Sequence, residues 1–155
     1  MKKILGLLFG FSLLLNSCSK SEVSGCQPAS IASEKNQMIA YCTANGINYT
    51  EDVSGLLYEI IAPGTGISPT ISSTISAVYT GKLFTGTVFD ATANPVTFPL
   101  SGVIDGWKIG IPFIKKGGRI KLIIPSALAD SCTGSGSSIP PNTPLFFDVT
   151  LTDVK

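Results

Sequence analysis

The most informative feature of the sequence is the alternation of apolar and polar residues in several segments after Gly55. Strict alternation is typical of a β-strand with one buried face. Turn signals containing glycine or proline separate the segments, which favours an antiparallel sheet with one buried side. The predicted strands lie within GLLYEIIAPGTG (55–66), TISAVYTGKLFTGTVFD (74–90), GRIKLIIP (118–125) and PLFFDVTLTDV (144–154).

Two helices are predicted in addition to the strands. Residues 28–47 show apolar residues at near-helical spacing, with Pro28 or Ser33 near the start and Gly46 as a C-terminal cap. A short helix is expected from Asp105 to about Phe113, with its apolar face against the sheet. The Gly/Ser/Pro-rich segment 130–142 has no hydrophobic periodicity, and a loop of this length in a compact domain is commonly functional.

The N-terminus has the features of an export signal. Lys2 and Lys3 precede a twelve-residue apolar run, which is too short to span a bilayer, and LNSC follows it. The pattern predicts a lipoprotein signal peptide at residues 1–17 and acylation of Cys18; the alternative is an ordinary secretory signal. We expect an acylated tether at 18–27, an N-terminal helical extension at 28–54 and one globular domain at 55–155, without a transmembrane helix.

The composition excludes several kinds of chemistry. The chain contains no histidine, so it has no Ser-His-Asp triad, no Cys-His pair and no histidine-based zinc site. Without Lys2 and Lys3 it carries nine basic and ten acidic residues, which does not suggest a nucleic-acid partner. A cluster of five basic residues is interpreted as solvated surface. It comprises Lys108, Lys115, Lys116, Arg119 and Lys121.

Three further cysteines suit disulfide formation in an exported protein better than metal binding, because no CxxC motif occurs. Cys26 and Cys42 bracket the first predicted helix, which would hold them about 20 Å apart. A disulfide needs Cα atoms within roughly 7 Å. If a bridge forms, we expect it to join Cys132 to Cys26 or Cys42 and to leave one thiol free.

Six motifs occur in a recognisable order: VYTGKL, GTVFDAT, VTFPL, VIDGWKIGI, KKGGRIKLIIPSALA and IPPNTPLFFDVTL. In this order they closely resemble the FKBP-type peptidyl-prolyl cis-trans isomerases, from about Gly55 to Lys155. The resemblance implies an α+β fold, in which an antiparallel half-barrel sheet of five or six strands wraps around one short helix. The tether and N-terminal helical appendage are similar to those of exported FKBP lipoproteins of Gram-negative bacteria.

The resemblance also implies a proline-binding pocket with Trp107 as its floor, where Gly106 and Gly110 let the backbone enter and leave tightly. Ile104 would offer a backbone N–H to the substrate, and Asp90 would lie near the Tyr79 hydroxyl. The family usually has Tyr-Gly after IPSALA, whereas this chain has Asp130 and Ser131. The pocket therefore loses a hydrogen-bond donor. The implied catalytic residues are Tyr79, Phe89, Asp90, Trp107 and Phe147, and the implied substrate-binding residues are Phe98, Val103, Ile104, Ile139 and Asp130.

The resemblance implies an isomerase that needs no cofactor and no metal. It would act as a monomer on proline-containing, unfolded or partly folded polypeptides. With an anchor at Cys18, it would lie at the cell envelope, on the periplasmic side of the outer membrane of a Gram-negative bacterium. Two alternatives remain open: a non-enzymatic binder or holdase that uses the same groove, and a structural envelope lipoprotein.

Overall fold

The sheet expected from the alternating segments is present in the computed structural model, which describes residues 25–155. The predicted signal peptide, the predicted acylation site Cys18 and the predicted tether up to residue 24 lie outside the described residues. Between the elements lie 3-10 turns at Leu100–Gly102, Ile111–Phe113 and Ser126–Leu128. The helices and strands are α1 (Ile31–Ala44), β1 (Thr50–Glu51), β2 (Leu57–Ala62), β3 (Thr74–Leu83), β4 (Val88–Pro99), α2 (Asp105–Gly110), β5 (Arg119–Ile124) and β6 (Leu145–Val154).

All neighbouring strands of the six-stranded sheet are antiparallel, in the order β1-β2-β5-β6-β3-β4. Helix α2 lies on one face and packs its buried Trp107 into the main core with Ile120, Leu122 and Phe147. The α+β fold and the sheet around a short helix are therefore confirmed. The helix is shorter than expected, because its last turn, Ile111–Phe113, is 3-10.

Gly106 brings α2 close to the sheet. A Cβ atom at this position would lie 2.5 Å from Cγ2 of Ile124 on β5, so any larger residue would push the helix away. We expected Gly106 to allow a tight backbone turn before Trp107. This expectation was incomplete, because Gly106 lies inside the helix and faces the sheet. Its small size allows Trp107 to reach the core.

The prediction of a sheet with one buried side was wrong. Leu57, Ile123 and Phe146 point to the opposite face, where they form a second core with Met38 and Cys42 of α1. Consecutive strand residues point to opposite faces, so uninterrupted apolar runs such as Leu-Phe-Phe at 145–147 supply both cores. Segment 28–54 thus covers the second face, and its β1 extends the sheet through pairing with β2.

Helix α1 begins and ends with identifiable caps. Ser30 is the N-cap, and its side chain accepts a hydrogen bond from the backbone N–H of Ser33. Neither Pro28 nor Ser33 is the capping residue, although both lie within three residues of it. Gly46 follows the helix with φ of +61°, which confirms the predicted C-terminal cap.

Cys26 and Cys132 form a disulfide with their Cα atoms 5.4 Å apart, while Cys42 is a free, buried thiol. One of the two pairings left open by the sequence is therefore the observed one.

The basic cluster is a surface of ion pairs. Lys108 pairs with Asp105 at 2.9 Å, and Lys116 pairs with Asp153 at 2.7 Å. The remaining pairs are Arg119–Asp148 and Lys121–Glu59. Because acidic partners neutralise four of its five members, the cluster is not a strong anion site. Over residues 25–155, no helix combines the length and apolar character needed to cross a membrane.

Candidate functional site

A cavity of about 270 Å³ opens on the face of the sheet that carries α2. Strands β3, β4 and β6, the N-terminus of α2 and the loop after β5 all contribute to its wall. It brings together every catalytic and substrate-binding residue predicted from the sequence. The lining consists of Tyr79, Phe89, Asp90, Phe98, Val103, Ile104, Trp107, Asp130, Ile139, Leu145 and Phe147.

Trp107 is the hub of the aromatic contacts in this cavity and is only 4% exposed. Its ring meets Tyr79 edge-to-face at 5.2 Å and Phe147 edge-to-face at 5.3 Å, and it meets Phe98 at a tilt at 5.7 Å. Such geometries contribute about 0.5 to 1.5 kcal/mol each beyond the burial of area. The result is a rigid apolar floor whose shape several strands hold in place.

Gly81 on β3 makes room for two of the cavity's rings. A Cβ atom there would lie 2.7 Å from both Phe147 Cε1 and Phe89 Cζ. These two rings meet edge-to-face at 5.4 Å. The absence of a side chain at this position therefore allows β4 and β6 to bring their phenylalanines together across β3.

Tyr79 and Asp90 form the polar edge of the cavity. The Tyr79 hydroxyl donates a hydrogen bond of 2.7 Å to Oδ2 of Asp90. Burial, the hydrogen bond to Asp90 and the negative charge of Asp90 together raise the pKa of Tyr79 to about 12, with burial the largest cause. Tyr79 is therefore neutral and a donor at physiological pH. Asp90 is exposed, which keeps its second carboxylate oxygen in contact with solvent.

Ile104 precedes α2 and serves as its N-cap residue, with an extended backbone. Its carbonyl accepts hydrogen bonds from the N–H groups of Trp107 and Lys108. Its own N–H makes no hydrogen bond with any residue from 25 to 155. A backbone donor beside an apolar cavity is thus available to a ligand carbonyl.

The loop after β5 supplies two residues to the cavity, Asp130 and Ile139. Ile139 is 7% exposed and belongs to the main core, although the preceding residues 135–138 are exposed. The backbone of Asp130 accepts hydrogen bonds from Thr133 Oγ1 and Gly134 N. Its carboxylate makes no hydrogen bond or ion pair within the described residues. Asp130 lines the cavity even though Cys132, two residues later, is held in a disulfide.

Leu145 is the cavity residue that the sequence analysis missed. The signal was present, because Leu145 and Phe147 are two residues apart on β6 and so lie on the same face of the strand. The family motif drew attention to the aromatic residue and away from its aliphatic neighbour.

The chemistry available in the cavity is limited and specific. Its lining has apolar rings and branched aliphatic side chains, two carboxylates, one phenol and a free backbone N–H, without cysteine, serine or lysine. Across residues 25–155 no three acidic or cysteine side chains are grouped as metal ligands. The arrangement suits the binding of an apolar group and a carbonyl, rather than attack on a bond by a nucleophile.

Comparison with known proteins agrees with this geometry. The family model for FKBP-type peptidyl-prolyl cis-trans isomerases matches residues 66–152. A probable FKBP-type isomerase of Haemophilus influenzae is 42% identical over 115 residues, which is 72% of this chain and 48% of the relative. FkpA of Escherichia coli, an FKBP-type peptidyl-prolyl cis-trans isomerase, is 46% identical over 105 residues, which is 66% of this chain and 38% of FkpA. The chain thus spans less than half the length of these relatives.

Solved structures are also similar. The crystal structure of Escherichia coli FkpA has a TM-score of 0.72 and 38% identity, over 81% of this chain and 61% of that one. A peptidyl-prolyl cis-trans isomerase of Pseudomonas syringae has a TM-score of 0.70 and 29% identity, over 83% of this chain and 98% of that one. The second match covers nearly the whole of a solved isomerase.

Proposed function

Because this chain belongs to the FKBP-type peptidyl-prolyl cis-trans isomerase family, we propose that its cavity catalyses the cis–trans isomerisation of X-Pro bonds in polypeptides. The observation that carries the proposal is an apolar cavity floored by Trp107, with the Tyr79–Asp90 pair at its edge. A pyrrolidine ring is apolar and compact, so it matches the aromatic floor. The amide carbonyl beside it can accept a hydrogen bond from the Ile104 N–H.

The reaction requires no nucleophile, because no bond forms or breaks. Rotation about the X-Pro bond interrupts amide resonance over a barrier of about 18 to 20 kcal/mol. The twisted amide has less charge separation than the planar one, so a water-poor aromatic site favours the transition state over the ground state. Each increment of about 1.4 kcal/mol in this preference accelerates rotation tenfold.

A second candidate function is a non-catalytic binder or holdase for proline-containing segments. The observation that favours it is the carboxylate of Asp130 at the rim, where the family usually has a tyrosine. An ionised carboxylate offers no donor to a substrate carbonyl and attracts water. In this candidate function, the cavity binds proline-containing segments but does not accelerate rotation about the X-Pro bond.

A protease-coupled assay on an X-Pro peptide, run with the chain and two variants, separates the candidates. We expect acceleration by the parent, a loss in Trp107→Ala and no loss in Phe113→Ala. Phe113 is a fair control because it is an aromatic residue outside the cavity, and its ring packs at a tilt against Tyr58 with the centroids 4.6 Å apart. Binding of the peptide without acceleration by the parent would support the holdase.

The site of action proposed here is the cell envelope, with an acyl anchor at Cys18 and exported, incompletely folded proteins as substrates. The signal-like residues 1–17 support this proposal. More than one acyl chain is needed for stable anchoring, and the lipoprotein pathway supplies two or three. Fractionation of cells expressing the chain and Cys18→Ser tests the idea: release or blocked processing of the variant is expected, whereas normal processing and membrane retention would contradict it.

A further inference from the structure

We propose that the N-terminal segment 26–34 positions the loop at the rim of the cavity, and that Glu34 is the main positioning residue. Part of the proposal, the effect on the isomerase reaction, rests on the proposed function. The rim is defined here as residues 125–142, the loop that carries Asp130 and Ile139. Segment and rim are about a hundred residues apart in the sequence, yet they are joined at three places.

The first connection is a buried carboxylate. Glu34 on α1 is 3% exposed. Its Oε2 accepts a hydrogen bond of 2.7 Å from Ser126 N, and its Oε1 accepts one of 2.6 Å from Ser126 Oγ. Burying a carboxylate is unfavourable unless its oxygens have partners, so this geometry holds α1 and the start of the rim in fixed positions.

The second connection is covalent. The Cys26–Cys132 disulfide joins the residues just before α1 to a position two residues after Asp130. It closes a chain separation of 106 residues and fixes a second position in the rim.

The third connection is made by Asn142 at the end of the rim. Its Oδ1 accepts a hydrogen bond of 2.8 Å from Ala29 N, and its Nδ2 donates one of 3.0 Å to Gln27 O. The Asn142 side chain thus pairs with the backbone on both sides of Pro28, as a strand neighbour would.

Within the rim, backbone hydrogen bonds also join the connected residues to one another. Ser131 N donates to Ser126 O, and Asn142 N donates to Ser131 O, both at 2.8 Å. Ser131 and Asn142 are the residues other than glycine with positive φ in the described part of the chain, at 53° and 51°. Such conformations persist where the surroundings impose them, and at Asn142 the hydrogen bonds with Ala29 N and Gln27 O come from the N-terminal segment.

These connections affect the cavity through Asp130 and Ile139. Both line the cavity, and in the sequence they lie between rim residues that the N-terminal segment holds. Neither contacts Glu34 in any hydrogen bond of the described chain. Loss of the connections therefore leaves the aromatic floor intact but allows the rim to adopt more conformations. A ligand must then order the rim on binding, which weakens binding more than it slows the bound reaction.

The test uses the full chain with Glu34→Ala, Glu34→Gln and Met38→Ala. Glu34→Ala removes both acceptors. Glu34→Gln can keep two hydrogen bonds, because the Ser126 hydroxyl can rotate and accept from the new amide. Met38→Ala is the matched control, since Met38 lies one helical turn further on the same face of α1 but packs on the second core. It weakens docking of α1 without touching the rim.

We expect Glu34→Ala to raise KM for a proline peptide about threefold to tenfold with a smaller change in kcat. Amide hydrogen exchange should become faster in residues 126–142. Glu34→Gln should restore both quantities, and Met38→Ala should change neither at equal loss of stability. An unchanged rim and KM in Glu34→Ala, or the same effects in Met38→Ala, would overturn the proposal.

The disulfide provides an independent arm. The double variant Cys26→Ser, Cys132→Ser should show the same rise in KM and faster exchange in the rim, whereas Cys42→Ser, which alters α1 away from the rim, should not. If the parent accelerates no isomerisation, the proposed function fails, yet hydrogen exchange in these variants still decides whether the segment positions the rim.

Discussion

The Tyr79 hydroxyl on β3 lies 2.7 Å from Oδ2 of Asp90 on β4, although these residues do not face each other in the strand register. Tyr79 pairs with Thr92, and Asp90 pairs with Gly81. The two are diagonal neighbours, a separation that a long aromatic side chain can bridge. Gly81, next to them on β3, leaves space for the rings of Phe89 and Phe147. The β3–β4 pair therefore forms both the polar edge and part of the aromatic wall of the cavity.

Removing the hydroxyl in Tyr79→Phe should reduce catalytic efficiency modestly and lower the free energy of unfolding by about 0.5 to 1.5 kcal/mol. The reason is that the ring still fills the wall while Asp90 loses a donor. Asp90→Asn, which can still accept from Tyr79, serves as the comparison. Denaturant unfolding and the peptide assay measure the two effects. A larger loss in Asp90→Asn than in Tyr79→Phe would show that the charge of Asp90 matters beyond the hydrogen bond.

Replacing Trp107 separates the aromatic platform from simple core volume. Trp107→Ala should lower the free energy of unfolding by about 3 to 5 kcal/mol and reduce catalytic efficiency by tenfold or more, since it empties the cavity floor. Trp107→Phe keeps an aromatic surface and should retain more activity. Rates are compared only where near-UV circular dichroism shows native packing. Equal activity in Trp107→Phe and Trp107→Ala would argue against a platform role.

Asp130→Tyr restores the residue that the family usually has at the rim. A phenol can donate to a substrate carbonyl, and one neutral hydrogen bond contributes about 0.5 to 1.5 kcal/mol, so we expect a gain of roughly threefold to tenfold in catalytic efficiency. Asp130→Leu, which removes the charge without adding a donor, controls for the loss of charge. Unchanged or reduced efficiency of a well-folded Asp130→Tyr would show that this rim position does not meet the substrate.

The buried thiol of Cys42 should make stability depend on pH in the alkaline range. Burial, and to a smaller extent the negative charge of Glu59, raise the pKa of Cys42 to about 11. A thiol in an unfolded chain ionises near pH 8.5. Because the folded pKa is the higher one, the contribution is complete below about pH 8.5 and is lost as the pH rises toward 11.

Two measurements check this prediction. Alkylation of the Cys42 peptide by iodoacetamide at pH 9 should be slow in the native chain and fast in urea. The free energy of unfolding of the parent should fall between pH 8.5 and 11 by more than that of Cys42→Ala. Rapid alkylation under native conditions would mean that the second core opens without unfolding.

The sequence by itself indicated strands β2, β3, β5 and β6, the short helix and every cavity residue except Leu145, but not β1 or the part of β4 after residue 90. Alternation fixes which side of a strand residues such as Ile120 and Leu122 occupy, and this pattern is local. The aromatic set of the cavity was indicated by the ordered motifs only through their resemblance to a known family.

Only the tertiary structure decided which groups from distant parts of the chain meet. Nothing local to Glu34 indicates that its carboxylate is buried against Ser126, since an isolated glutamate on a helix usually faces solvent. The choice of Cys26 over Cys42 as the partner of Cys132 likewise depends on where α1 docks. The second core likewise depends on where α1 docks. The apolar runs indicate that both faces of the sheet are buried, but not which element covers each face. Long-range pairing depends on the packing of the whole chain, and that is why the link between the N-terminal segment and the rim is visible only in three dimensions.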